Sequence, residues 1–109
     1  MAVTPKTLAA GQLPASKTTL YTVPGATQAL LTITLVATGA SDRNANLYLK
    51  RSGGTSRRII PKDMLMNPGD AAYLDHQGRP YALSAGDEIE GDASAASEVD
   101  YTIDGMEKT

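Results

Sequence analysis

The chain of 109 residues contains no cysteine, which excludes disulfide staples, thiolate metal sites and a cysteine nucleophile. It also lacks Phe and Trp, and its only aromatic residues are five Tyr. A core must therefore be assembled from Leu, Ile, Val and Ala. His76 is the only histidine and lies in the polar run His76-Gln-Gly-Arg-Pro80, where an imidazole is ordinarily a solvated surface group. The longest apolar run, residues 29–37, is interrupted by Thr32 and Thr34. It falls well short of the roughly 20 apolar residues of a membrane-spanning helix. Residues 1–10 offer no apolar block behind a basic start, so neither a cleaved leader nor a membrane partner is expected, and the protein should be soluble.

What is present reads as strands. Residues 18–23 alternate and stop at the turn pair Pro24-Gly25; residues 29–38 place Leu31, Ile33 and Leu35 on one face and Thr residues mostly on the other. Residues 46–51 alternate again, Ser52-Gly53-Gly54 reads as a hairpin turn, and residues 55–60 return. Asn67-Pro-Gly-Asp70 is a second strong turn, followed by short strands at 71–75 and 81–83. Two more are expected at 88–93 and 98–106, joined by a turn at 94–97. Turn signals recur about every ten residues, the spacing of a sandwich or small barrel, and no segment carries a helical stripe. The chain is long enough for one domain. The expected fold is all-β: a two-sheet antiparallel β-sandwich, jelly-roll or immunoglobulin-like, with seven to nine short strands over residues 18–109. Residues 1–17, rich in Ala, Thr, Gly and Pro, are expected to be a partly extended arm, either a frayed terminus or a segment packing on a neighbouring subunit.

Charge is segregated along the chain: residues 1–41 carry +2, residues 42–80 carry +3, and residues 81–109 carry −7. On strands, Glu88, Glu90 and Asp92 share a face, as do Glu98, Asp100 and Asp104. Paired as a hairpin, the two strands would bring all these acids to one outer surface, where like charges repel. Three arrangements would relieve that repulsion: solvation and pairing with basic residues of the same domain, contact between the acidic strands and the basic hairpin of another subunit, or a bound Ca²⁺ ion. The last lacks the spacing of an EF-hand loop.

Signs of catalysis are scarce. There is no Gly-x-Ser-x-Gly elbow and no Gly-rich phosphate loop. Glu88 and Glu90 are a carboxylate pair, but glycoside hydrolysis needs one carboxyl held in a cleft that raises its pKa. Neither an enzyme nor a cofactor is expected. Net charge is −2, and Arg57 and Arg58 point to opposite sides of a strand, so nucleic acid is not an expected partner. Tyr48, Tyr73 and Tyr81 are candidates for stacking on a sugar, although isolated Tyr residues ordinarily serve strand packing.

Taken in order, several segments resemble small virion structural proteins of tailed bacteriophages. They are residues 8–15 (Leu-Ala-Ala-Gly-Gln-Leu-Pro-Ala), Thr19-Leu-Tyr-Thr-Val-Pro24, Val36-Ala-Thr-Gly-Ala-Ser41, Asn46-Leu-Tyr-Leu49, Arg57-Arg-Ile-Ile-Pro61, Ser84-Ala-Gly-Asp87, Ile89-Glu-Gly-Asp-Ala-Ser94 and Tyr101-Thr-Ile-Asp-Gly105. The likeness extends over about residues 8–106 and departs at Pro24-Gly25-Ala26, where an Ala-Gly turn is expected. It implies a non-enzymatic particle component made in the host cytoplasm. The favoured role is a trimeric capsid decoration (cement) protein bound to the major capsid protein; the alternative is a tail-tip or fibre module that binds a receptor or carbohydrate. The expected contact residues are Leu8 and Leu13 on the arm, Arg51, Arg57 and Arg58 on the basic hairpin, and Glu88, Glu90 and Asp100 on the acidic strands.

Overall fold

Alternation with period two organises the longest central strand, β3 (Gln28–Ala37). Ala29, Leu31, Ile33, Leu35 and Ala37 are buried, while Leu30, Thr32, Thr34 and Val36 face outward. The computed structural model describes residues 3–109, which contain ten strands and no helix. The others are β1 (Val3–Gln12), β2 (Thr18–Thr22), β4 (Arg43–Lys50), β5 (Ser56–Arg58), β6 (Met64–Met66), β7 (Ala71–Leu74), β8 (Tyr81–Leu83), β9 (Glu88–Ala93) and β10 (Val99–Lys108).

All pairings are antiparallel and form two sheets. The first runs β1-β10-β3, and the far edge of β3 is shared by β7, opposite Ile33–Val36, and β8, opposite Ala29–Leu31. The second runs β2-β9-β4, and the far edge of β4 is shared by β5, opposite Tyr48–Lys50, and β6, opposite Arg43–Ala45. Counting each divided edge as one position gives eight positions wound as two Greek keys. That is the strand order of a jelly roll and decides against the immunoglobulin-like alternative. Between the sheets lie Leu13, Val23, Leu31, Ile33, Leu35, Leu47, Met66, Ile89, Val99 and Ile103, all essentially inaccessible. Each large side chain so buried stabilises the fold by roughly 1.5–3 kcal/mol. Gly91 faces this core, where an added Cβ would lie 2.9–3.1 Å from Leu20, Leu47 and Leu13, so the glycine leaves the notch into which they pack.

Three expectations need correction. Residues 3–12, anticipated as an arm, are strand β1, paired along β10 of the same chain; residues 1–2 lie outside the described residues. Ala, Gly and Pro weaken the strand signal of this segment, and the exposed edge of β10 supplies what local propensity does not. Leu13 follows β1 into the core at 0% exposure, so it is no surface contact. The expected acidic hairpin does not exist, because β9 and β10 belong to different sheets. Residues 94–98 cross between the sheets instead, held by Ser94 N–H to Asn44 O (2.9 Å) and Ser97 N–H to Leu13 O (3.3 Å). Alternation identifies which face of a strand is buried; it does not say which strand lies alongside.

Candidate interaction surfaces

The outer face of the second sheet is an internally satisfied polar network. Glu88, Glu90 and Asp92 do share a face, opposite Lys50, Tyr48 and Asn46 of β4. Glu88 accepts a hydrogen bond from Thr19 Oγ1 at 2.7 Å, and Glu90 accepts one from Ser56 Oγ. Asp92 accepts from Asn46 Nδ2 at 2.9 Å and from the Tyr48 hydroxyl at 3.2 Å. Lys17 and Arg58 lie over the Tyr48 ring, 4.8 and 5.0 Å from its centre. Burial, and then the charge of Asp92, push the Tyr48 hydroxyl above the ordinary tyrosine range. Asn46, only 6% exposed, is the organiser. Its Oδ1 accepts from Arg58 (2.6 Å) and from Asp63 N–H (2.8 Å), while its Nδ2 also donates to Asp63 Oδ1 (3.1 Å). All four of its hydrogen-bonding positions are thus in use.

The basic hairpin turns where expected, with Gly53 at φ 72° and Gly54 N–H bonded to Arg51 O at 2.8 Å. Arg51, however, folds back within the chain: its guanidinium donates to Asp87 Oδ2 at 2.8 Å and to Ala82 O at 2.9 Å. Asp87, 4% exposed, also accepts from the N–H groups of Ser52 (2.8 Å) and Ser84 (2.9 Å). Burial alone would raise its pKa, but the bonds from Ser84, Arg51 and Ser52 outweigh it and hold the carboxyl below the usual range. This clasp ties the hairpin of the second sheet to the end of β8 in the first.

Beside the clasp, a groove of 640 Å³ opens where the edges of the two sheets meet, lined in part by Arg51, Arg58, Asp75, His76, Arg79 and Tyr81. One wall is a six-residue excursion between β7 and β8. His76 and Arg79 are bridged through their backbones, and Gln77 and Gly78 both have positive φ (55° and 84°), the form of a two-residue hairpin tip. The His76 ring stacks on Tyr81, with centres 6.0 Å apart and planes 8° from parallel.

The expected contact residues are therefore scattered. Arg51 and Arg58 line the groove, whereas exposed Arg57 sits opposite Leu49. Leu8 is half-buried at a bulge in β1. Asp100 lies on the outer face of the first sheet, bonded to Gln12 Nε2 at 3.1 Å, on the opposite side of the sandwich from Glu88 and Glu90. Reading the sequence missed Asn46, Asp87 and a third polar centre at Glu107. Glu107 bonds Lys6 Nζ and the Tyr21 hydroxyl, each at 2.6 Å, tying β10 to both β1 and β2. Those two bonds outweigh burial and lower its pKa. The Tyr21 hydroxyl is raised in turn, first by burial and then by the bond to Glu107. A signal was present, because Glu107 continues the inward register of Val99, Tyr101 and Ile103 and an inward acid requires a partner.

No family model matches the sequence, and no curated protein is significantly similar to it. Among solved structures, the fold is similar to a chain in the structure of infectious bursal disease virus, Gx strain, with a TM-score of 0.51 and 13% identity. The match covers 97% of this chain but 32% of the viral one, so this chain spans about a third of that protein's length. At such low identity the likeness concerns architecture: the two-sheet β-sandwich described above is one that a virus also uses.

Proposed function

We propose that this chain is a structural component of a virus particle that acts through protein–protein contacts and without a catalytic step. The observation that carries this proposal is the jelly-roll strand order, together with a likeness extending over 97% of the chain to a chain of a virus structure. The segments resembling small virion proteins of tailed bacteriophages favour a phage particle. Within it, the proposed role is capsid decoration, as a trimer seated on the major capsid protein and bridging neighbouring subunits. The mechanism is mechanical: each copy buries surface that must be exposed again before the shell can open. Multiplied over many copies, modest interfaces of about 1,000 Å² suffice. Exposed Arg57, the Glu88 and Glu90 face and the half-buried Leu8 are the contacts proposed for it. A tail-tip or fibre role is favoured by one feature, Tyr73, which is 79% exposed on the outer face of the first sheet. Tyr48 and Tyr81, at 9% exposure each, are poorly placed to stack on a sugar.

Particles assembled without the chain, then heated with and without added purified protein, test the role. Decoration predicts earlier release of nucleic acid from the bare particles, restored by saturable binding of the protein. Equal heat resistance and no binding would contradict it, and saturable binding to host cells instead would favour the tail-tip role.

A further inference from the structure

The two outer faces of the sandwich differ in kind. On the second sheet, side chains answer one another within the chain; on the first, an apolar row lies open. Leu30 and Met106, 42% and 38% exposed, are direct cross-strand partners on β3 and β10. The row continues to Pro5 on β1 and Ala82 on β8. A groove of 350 Å³ flanks it on the side of Lys108, and another of 180 Å³ on the side of Asp104. These leave room for the side chains of a facing row to interdigitate.

Charge specifies what faces it. Along β10 the outward positions read Asp104, Met106, Lys108, an acid, an apolar residue and a base spaced about 7 Å apart. Among the described residues, neither Asp104 nor Lys108 takes part in an ion pair. Such an order is complementary to itself. A two-fold axis through Met106, perpendicular to the strand and parallel to the sheet, sets Asp104 of one copy against Lys108 of the other, twice. Rotation about an axis parallel to the strand would instead set like charge near like. The broad side of the molecule, 45 by 26 Å, has room for the about 800 Å² per partner that a stable interface buries.

We infer that the outer face of the first sheet is an isologous docking surface for a second copy of this chain, centred on Leu30 and Met106 and fixed in register by Asp104 and Lys108. This deepens the assembly proposal by naming one face and its symmetry. A two-fold contact is distinct from the head-to-tail contacts that close a trimer, and the two can coexist.

The test is sedimentation equilibrium of the full chain from micromolar to millimolar concentration at low salt, with circular dichroism to verify folding. Wild type should associate, and both D104K and K108D should weaken the association about tenfold or more, because each sets like charges face to face. The double variant D104K/K108D reverses the pattern and should return to within about threefold of wild type. Association indifferent to the single changes, or a double variant no better than either single one, would overturn the assigned face while leaving assembly through other surfaces intact. A wild type that stays monomeric throughout would overturn the inference as well, and binding to particles would then decide the decoration role separately.

Discussion

At the scale of single residues, stability depends on polar groups placed where apolar ones would be expected. Asn46 is the clearest case, since one buried amide holds Asp63, Asp92 and Arg58 together. Replacing it leaves the Asp63 and Asp92 carboxylates without the donor between them, and Arg58 and the Asp63 N–H without their acceptor. Asn46→Ala should therefore lower unfolding stability by about 2–3 kcal/mol in urea titration, more than truncating an exposed Asn would. Asp87 adds a pH dependence whose sign follows from its depressed pKa. The stabilisation is complete above the unfolded value of about 4 and is lost as pH falls through the lower folded value. Asp87→Asn removes the charge paired with Arg51, so the variant should be less stable than wild type at pH 7, and the gap should narrow progressively as pH falls below about 4. Thermal melts across that range measure it directly, and a gap independent of pH would mean that the clasp works by shape alone. Glu107, also depressed, adds to the acid sensitivity of the wild type. Ala26 carries a local cost: it adopts φ 57° in the turn after Pro24-Gly25, a conformation that glycine accepts more readily.

At the scale of elements, legibility followed local alternation. Strands β2, β3, β4, β9 and β10 stand out because inward Leu, Ile and Val trade places with Thr, Glu and Asp, and β5, β7 and β8 are framed by turn residues. The Gly53-Gly54 hairpin and the turn ending at Asp70 were equally readable, since the chain must adopt left-handed φ there and does so at Gly53 and Gly69. Strand β1 was not legible, because its Ala-Ala-Gly stretch has little preference of its own and becomes a strand only through pairing with β10. Nor was β6, since Met64-Leu65-Met66 is too short and too uniformly apolar to alternate visibly. The acidic surface was half legible. Glu88, Glu90 and Asp92 share their face, while Asp100 and Asp104 lie across the sandwich, because pairing between strands distant in sequence leaves no local trace. The edge strands β1 and β2 each shift register, between Thr7 and Ala9 and between Thr19 and Tyr21. Such irregularity twists an edge and discourages indiscriminate pairing with other chains.

At the scale of the whole molecule, the sandwich presents two unlike sides. The side built on β9 and β4 has its charges answered from within by Thr19, Ser56, Asn46 and Arg58. The side built on β10 and β3 offers Leu30, Met106 and Tyr73 to whatever lies against it. In the proposed particle role, that asymmetry leaves the first sheet to dock a second copy, and exposed Arg57 with the Glu88 and Glu90 face to meet other subunits. The divided edges serve the same end, since β7 and β8 give up continuous pairing along β3 to form the excursion carrying His76 and Arg79. The proposal that this jelly roll is built into a virus particle is tested most directly by a cryo-electron microscopy reconstruction of the intact particle produced from a genome carrying its gene. The expected result is density for this sandwich in many symmetry-related copies on the head, with the first sheet against protein. Particles whose density is fully accounted for by other chains, with no copy of this sandwich on head or tail, would contradict it.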